Sequence, residues 1–123
     1  MQEFKIAPSK NTPEIFMSPK GFIKMRGRSV HENICNIFTP IEKWLNEYIA
    51  NPAQLTIIDL DFEYCNSSSA KALMQLLKQI KRINSKGKSF VINWYYEDGD
   101  EDVLGRGEYF ASMLGVPMNL IKL

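Results

Sequence analysis

Within residues 55–64 apolar and polar residues alternate from Ile58 onward, with Ile58, Leu60, Phe62 and Tyr64 on one side and Asp59, Asp61 and Glu63 on the other. A period of two predicts a strand, and a parallel strand covered on both faces would be apolar throughout. The alternation therefore predicts a sheet with helices on one face and the other face open. Residues 15–18 and 22–26 flank Pro19-Lys20-Gly21. Pro presets one turn angle and Gly permits the positive one, which predicts a β-hairpin. In its second strand Ile23 and Met25 alternate with Phe22, Lys24 and Arg26, so Lys24 and Arg26 are expected on the open face across from the acids. Residues 1–12 are polar with scattered apolar positions and read as a loose arm or a short edge element.

Elsewhere the apolar period lengthens to that of a helix. Ile41, Trp44, Leu45 and Tyr48 share one helical face, and Ala70, Leu73, Met74, Leu77, Ile80 and Ile83 mark an amphipathic helix to about residue 85. The first helix has two start signals. Ser29-Val30-His31-Glu32 fits a capping box, and Thr39-Pro40-Ile41-Glu42 fits another with Pro at a tolerated first-turn position. A short helical turn followed by a helix, or one helix kinked near Pro40, are both open. Residues 90–96 predict a further strand. Residues 98–102 open a helix with Val103, Leu104, Phe110 and Leu114 inward, against which Gly105 and Gly107 argue. Residues 118–123 predict a last strand. Strands alternating with helices imply parallel pairing by right-handed crossovers, hence one compact α/β domain over residues 1–123.

Composition narrows the function classes. The 123 residues carry 15 Lys plus Arg against 14 Asp plus Glu, without the basic excess expected of a nucleic-acid binder. No apolar run approaches membrane-span length, and residues 1–10 do not resemble a signal peptide. Two cysteines, Cys35 and Cys65, and the one His31 lack a zinc-site spacing, so reduced thiols in a cytoplasmic protein are expected. His31, inside a start signal, reads as a surface residue and not a base. The charges are nevertheless segregated: residues 71–88 hold six Lys or Arg and no acid, and residues 97–102 hold five acids and no base.

The candidate chemistry lies at Cys65-Asn66-Ser67-Ser68-Ser69-Ala70-Lys71, where a strand's carboxyl end meets a helix start. Free amides and the helix dipole favour a phosphate there, and capping alone also explains Ser or Asn. One cap needs one residue, while four capping types stand in a row, so at least one hydroxyl is expected to be exposed and open to modification. With Glu63 before the turn and residues 97–102 expected beside it, a phosphate of about −1.5 to −2 charges would make a strongly negative surface that changes partner docking. Cys65 beside the helix start is a candidate for a lowered pKa, although no base accompanies it. The acidic loop offers an alternative: a small metal- or ligand-binding domain using residues 97–102, whose spacing departs from an EF-hand. Acids at a helix start also have a dipole explanation.

Thr12-Pro13-Glu14-Ile15, Gly27-Arg28-Ser29 with Glu32-Asn33, and Pro40-Ile41-Glu42-Lys43-Trp44-Leu45 form an ordered set. Asn66-Ser67-Ser68-Ser69-Ala70-Lys71 and Trp94-Tyr95-Tyr96-Glu97 with Asp100-Glu101-Asp102 extend it. In this set the chain resembles the SiaC-family regulatory phosphoproteins over nearly its whole length. The resemblance implies a STAS-like (anti-sigma-factor-antagonist-type) fold, with an N-terminal hairpin and a mixed, largely parallel sheet bearing helices on one face. STAS switches are phosphorylated at this turn, commonly within Asp-Ser-Ser-Gly, and SiaC-like proteins carry Asn-Thr-Ser-Ser with the acceptor directly after Asn. Carried over, the acceptor is Ser67, with Ser in place of Thr; Ser68 and Ser69 are secondary candidates and otherwise caps. Ala70 departs from the STAS Gly. The implied circuit has a cognate Ser/Thr protein kinase, a PP2C-type phosphatase and a target, a diguanylate cyclase in the best-known systems, bound by the unphosphorylated form. Expected partner contacts are Asn66, Ser68, Ser69, Lys71, Glu97, Asp100, Glu101 and Asp102. A non-enzymatic partner switch is thus expected, with no cofactor, no metal, no nucleic acid and no membrane.

Overall fold

The computed structural model describes residues 1–30 and 35–123. The alternating segment forms the central strand β4 (Leu55–Cys65), paired in parallel with β3 (Phe22–Ser29) and β5 (Ser89–Tyr96). The hairpin places β2 (Glu14–Ser18) antiparallel to β3, and β1 (Phe4–Ile6) adds antiparallel to β2 as an edge, the second of the two readings of the N-terminal residues. At the other edge β6 (Asn119–Lys122) runs parallel to β5. The six strands lie in sequence order, and three helices connect the parallel ones: α1 (Cys35–Ala50), α2 (Ser67–Ile80) and α3 (Glu101–Leu114). A 3-10 segment, Lys81–Lys86, continues α2. Because every new parallel strand is added on the same side of the last, crossovers of one hand carry all three helices to one face.

That face is the core. Ile15, Met17, Ile23, Met25, Ile58, Leu60, Ile92 and Trp94 from the sheet meet Ile41, Leu45, Tyr48, Leu73, Leu77 and Phe110 from the helices. The other face is open as the alternation predicts. Lys24 lies beside Asp59 and Arg26 beside Asp61 in the β3–β4 register, and Arg26 Nε comes within 3.6 Å of Asp61 Oδ2. A solvent-washed pair of this kind contributes about 0–1 kcal/mol, so the ladder orders the face more than it holds the sheet together.

Three local expectations are corrected. Ser29 is no helix cap: it is the last residue of β3 and fully buried, while His31 and Glu32 of that signal lie outside the described residues, as does Asn33. Thr39 stands inside α1, which includes Pro40, so no helix starts at Thr39. Pro40 lacks the amide bond it would have sent back one turn, and its ring crowds the carbonyl there. Tyr64 does not follow Phe62 inward. The register with β3 skips Glu63, Gly27 pairing with Phe62 and Arg28 with Tyr64, and this bulge turns Tyr64 outward and Cys65 inward.

The glycines of α3 have opposite meanings. A Cβ on Gly107 would lie 2.5 Å from Trp94 Cδ1, so only glycine lets the helix backbone rest on that ring. Trp94 in turn donates from Nε1 to the Val103 carbonyl at 2.9 Å and packs edge-on against Phe110. At Gly105 an added Cβ meets nothing within 4 Å. Gly107→Ala is therefore expected to destabilise the fold by about 1–3 kcal/mol through overpacking. Gly105→Ala is expected to stabilise it by up to about 1 kcal/mol through helix propensity. Urea midpoints of the two variants check the contrast, and equal shifts would contradict it.

Candidate functional site

The bulge at Glu63 delivers the chain into the serine turn. Asn66, in extended conformation, caps α2: its side-chain oxygen accepts from the Ser69 amide at 2.9 Å. Ser67, Ser68 and Ser69 are thus the first three helical residues, and capping is the work of the Asn. The expectation that Ser68 and Ser69 cap the helix is corrected accordingly.

The three serines have different surroundings. Ser69 is fully buried. Its hydroxyl donates to the Ser29 carbonyl at 2.9 Å and accepts from the Ser29 hydroxyl at 2.8 Å. The Ser29 carbonyl also accepts from the Asn66 amide at 3.1 Å, so the end of β3 is pinned to the first turn of α2 by three hydrogen bonds. Ser69 is therefore structural, and neither a modifying enzyme nor a partner reaches it in this fold. Ser67 and Ser68 are exposed.

Ser67 opens into a groove of about 370 Å³ between α2 and α3, lined by Lys71, Met74 and Lys78 from one helix and Arg106, Tyr109 and Met113 from the other. Tyr109 and Met113 are 55% and 61% exposed, large apolar surface beside the hydroxyl. The acids are elsewhere. Glu97, Asp98 and Asp100 line a hollow of about 540 Å³ with Asp61, Glu63 and Arg26. Asp102 lines a small third hollow with Tyr64, Cys65 and Arg106. Asp100 caps α3, accepting from the Val103 amide at 3.1 Å, and Glu101 and Asp102 occupy its first turn, the dipole placement. Of the expected contact set, Ser67 and Lys71 share a surface, Glu97 and Asp100 share another, and Glu101 and Ser68 are exposed singly. The acidic loop does emerge at the same end of the sheet as the serine turn, but the walls around Ser67 are cationic. The expected all-negative surroundings are corrected on that point. Among the described residues no group of three or more His, Cys, Asp or Glu is placed to hold a metal ion.

Arg106 is the residue that sequence reading missed. It lies one position before the glycine that rests on Trp94, and its Nη2 donates to the Cys65 carbonyl at 3.4 Å. A helix-face Arg between two glycines offers no motif; only the packing of α3 reveals it. Cys65 itself is not activated. Burial pushes its thiol up to about 11, with the Arg106 charge pulling weakly the other way.

An exposed serine thus stands at a capped helix start, at the carboxyl end of a one-sided parallel sheet. The family model described as SiaC family regulatory phosphoprotein matches residues 6–123, and the chain belongs to that family. An uncharacterised protein of Pseudomonas aeruginosa (strain UCBPP-PA14) is 27% identical over 118 residues, covering 95% of this chain and 94% of its own length. Solved structures agree. The crystal structure of the P. aeruginosa diguanylate cyclase SiaD in complex with its activator SiaC superposes with a TM-score of 0.89 at 26% identity, over 98% of this chain and 99% of that one. Apo-SiaC from the same organism gives 0.88 at 25% identity, over the same shares.

Two outcomes are expected from this geometry. Ser69→Ala strands a buried Ser29 hydroxyl and should cost about 1–3 kcal/mol in urea unfolding, Asn66→Ala about 1 kcal/mol, and Ser67→Ala less than about 0.5 kcal/mol. Because the thiolate is the nucleophile and the folded pKa is about 11, Cys65 should resist iodoacetamide at neutral pH and label readily in urea. Peptide-resolved mass spectrometry reads this, and rapid native labelling of Cys65 would contradict the burial argument.

Proposed function

We propose that this chain is a non-enzymatic, partner-switching regulator controlled by reversible phosphorylation of Ser67, which binds its target in the unphosphorylated form. The observation that carries the reading is the division of roles at the turn: Asn66 caps, Ser69 locks α2 to β3, and Ser67 is left exposed at the mouth of the α2–α3 groove. A hydroxyl with no structural task can gain a phosphate without unfolding the helix. At a helix start the new charge is also favoured by free amides and the dipole. Membership in a family of regulatory phosphoproteins supports the modification.

The target class follows the relatives. A SiaC with 26% identity and a TM-score of 0.89 is the activator of a diguanylate cyclase in its complex, which supports a diguanylate cyclase as target here. A cognate Ser/Thr kinase and a PP2C-type phosphatase complete the cycle, and the setting is cytoplasmic. No helix among the described residues is long and apolar enough to cross a membrane, in keeping with that setting.

Phosphopeptide mass spectrometry after co-expression with a cognate Ser/Thr kinase is expected to place the phosphate on Ser67. Modification confined to other residues would sink the site assignment. In a binding assay with the target cyclase, Ser67→Asp should weaken affinity roughly tenfold or more, as one displaced charge pair does, and Ser67→Ala should preserve it. Equal affinities would remove the charge switch.

A further inference from the structure

The groove at Ser67 is lined by cations from two different helices, and no ion pair among the described residues engages them. Lys71 lies four residues after Ser67 on α2, hence on the same helical face one turn along. Arg106 reaches over from α3 to the carbonyl of Cys65, two residues before Ser67, and spends one of its five donors there. The ion pairs among the described residues are Lys5–Glu3, Lys24–Glu14 and Arg26–Asp61, and none engages Lys71 or Arg106. The charged and titratable groups around the spot are Lys78 and Tyr109 along the groove, and Asp102, Tyr64 and Cys65 in the small hollow behind Arg106.

We infer that a phosphate on Ser67 is held in cis by Arg106 of α3 together with Lys71 of α2, bridging the two helices across the mouth of the groove. The inference rests on the reading of Ser67 as acceptor and concerns what the phosphate does once attached. A guanidinium fork matches phosphate oxygens with two parallel hydrogen bonds, and an ammonium adds a point charge. The Arg106 side chain is already held at the turn by one donor, and the other four remain available. Phosphorylation on this account does more than add negative charge to a surface. It draws the two cations that flank Tyr109 and Met113 onto itself, so the groove loses the positive rim an acidic partner would use. The phosphate also stands at the groove's open end.

Phosphoserine installed genetically at position 67 tests the capture without depending on any kinase. The phosphorus-31 NMR titration of that protein should give a second phosphate pKa about one unit or more below the ordinary value near 6, a roughly tenfold preference for the dianion. Arg106→Gln, which keeps side-chain length, should return most of the shift, Arg106→Lys should keep part of it, and Lys71→Ala should return a smaller part. Lys78→Ala, further along the groove, should leave it unchanged, and phosphoserine at position 68, which shares only the helix start, should show a smaller shift that Arg106→Gln does not alter. A phosphate that titrates like a peptide in the otherwise unaltered chain overturns the capture. So does a shift abolished by Lys71→Ala and indifferent to Arg106→Gln, since the bridge between helices would then be absent. The acceptor assignment fails separately, by mass spectrometry of the kinase-treated protein, so the two failures are distinguishable.

Discussion

The approach of α3 to the sheet is set by one contact, the Gly107 backbone on the indole of Trp94. The ring is buried, its Nε1 is bonded to the Val103 carbonyl, and Phe62 and Phe110 pack around it at 5.9 and 5.5 Å between centroids. With no side chain at position 107, the helix can come close enough to be fixed by its own carbonyl. Much follows from that distance. Arg106 is the neighbouring residue, and only with α3 this close does its guanidinium reach the Cys65 carbonyl and the turn that follows. On the far side of α2, the Ser29–Ser69 hydroxyl pair fixes the helix start against β3. The two devices place the serine turn between two fixed contacts.

The fold was legible because the periods were clean. Alternation over residues 55–64 disclosed both the strand and the one-sided sheet, and Pro19-Lys20-Gly21 disclosed the hairpin, where Gly21 has φ +107° and donates to Ser18. Where reading failed, a nonlocal force had overridden a local signal. Ser29 looks like a helix cap to its neighbours in sequence, yet strand pairing and a partner 40 residues away make it the buried end of β3. Tyr64 obeys the alternation on paper and breaks it in space, because one extra residue in β4 shifts the phase. The two glycines in α3 reduce helix propensity equally. Only the structure tells that one is required by a tryptophan 13 positions earlier and the other is merely tolerated.

The candidate site was half legible. Ser67 and Lys71 are near in sequence and near in space, so local reasoning found them. The acids at 97–102 were placed correctly at one end of the sheet, since parallel β4 and β5 must release their loops together. Their facing was not recoverable, because it depends on how α3 leaves the loop, and Asp100 turns out to spend its carboxylate on capping. Arg106 could not be found at all. Its importance comes from proximity across two helices, and no spacing in one helix encodes the distance to another.

The assignment of capping to Asn66 has an evolutionary consequence. At most helix starts the hydroxyl at the cap is under selection for stability, so a switch placed there could not be altered without harm to the fold. Here position 67 is released from that duty by the residue before it and by the one two places after. A lineage can therefore exchange Ser67 for Thr, or for a residue without a hydroxyl, in one substitution and without passing through an unfolded intermediate. What position 67 carries and what holds the fold together are inherited at this turn as separable traits.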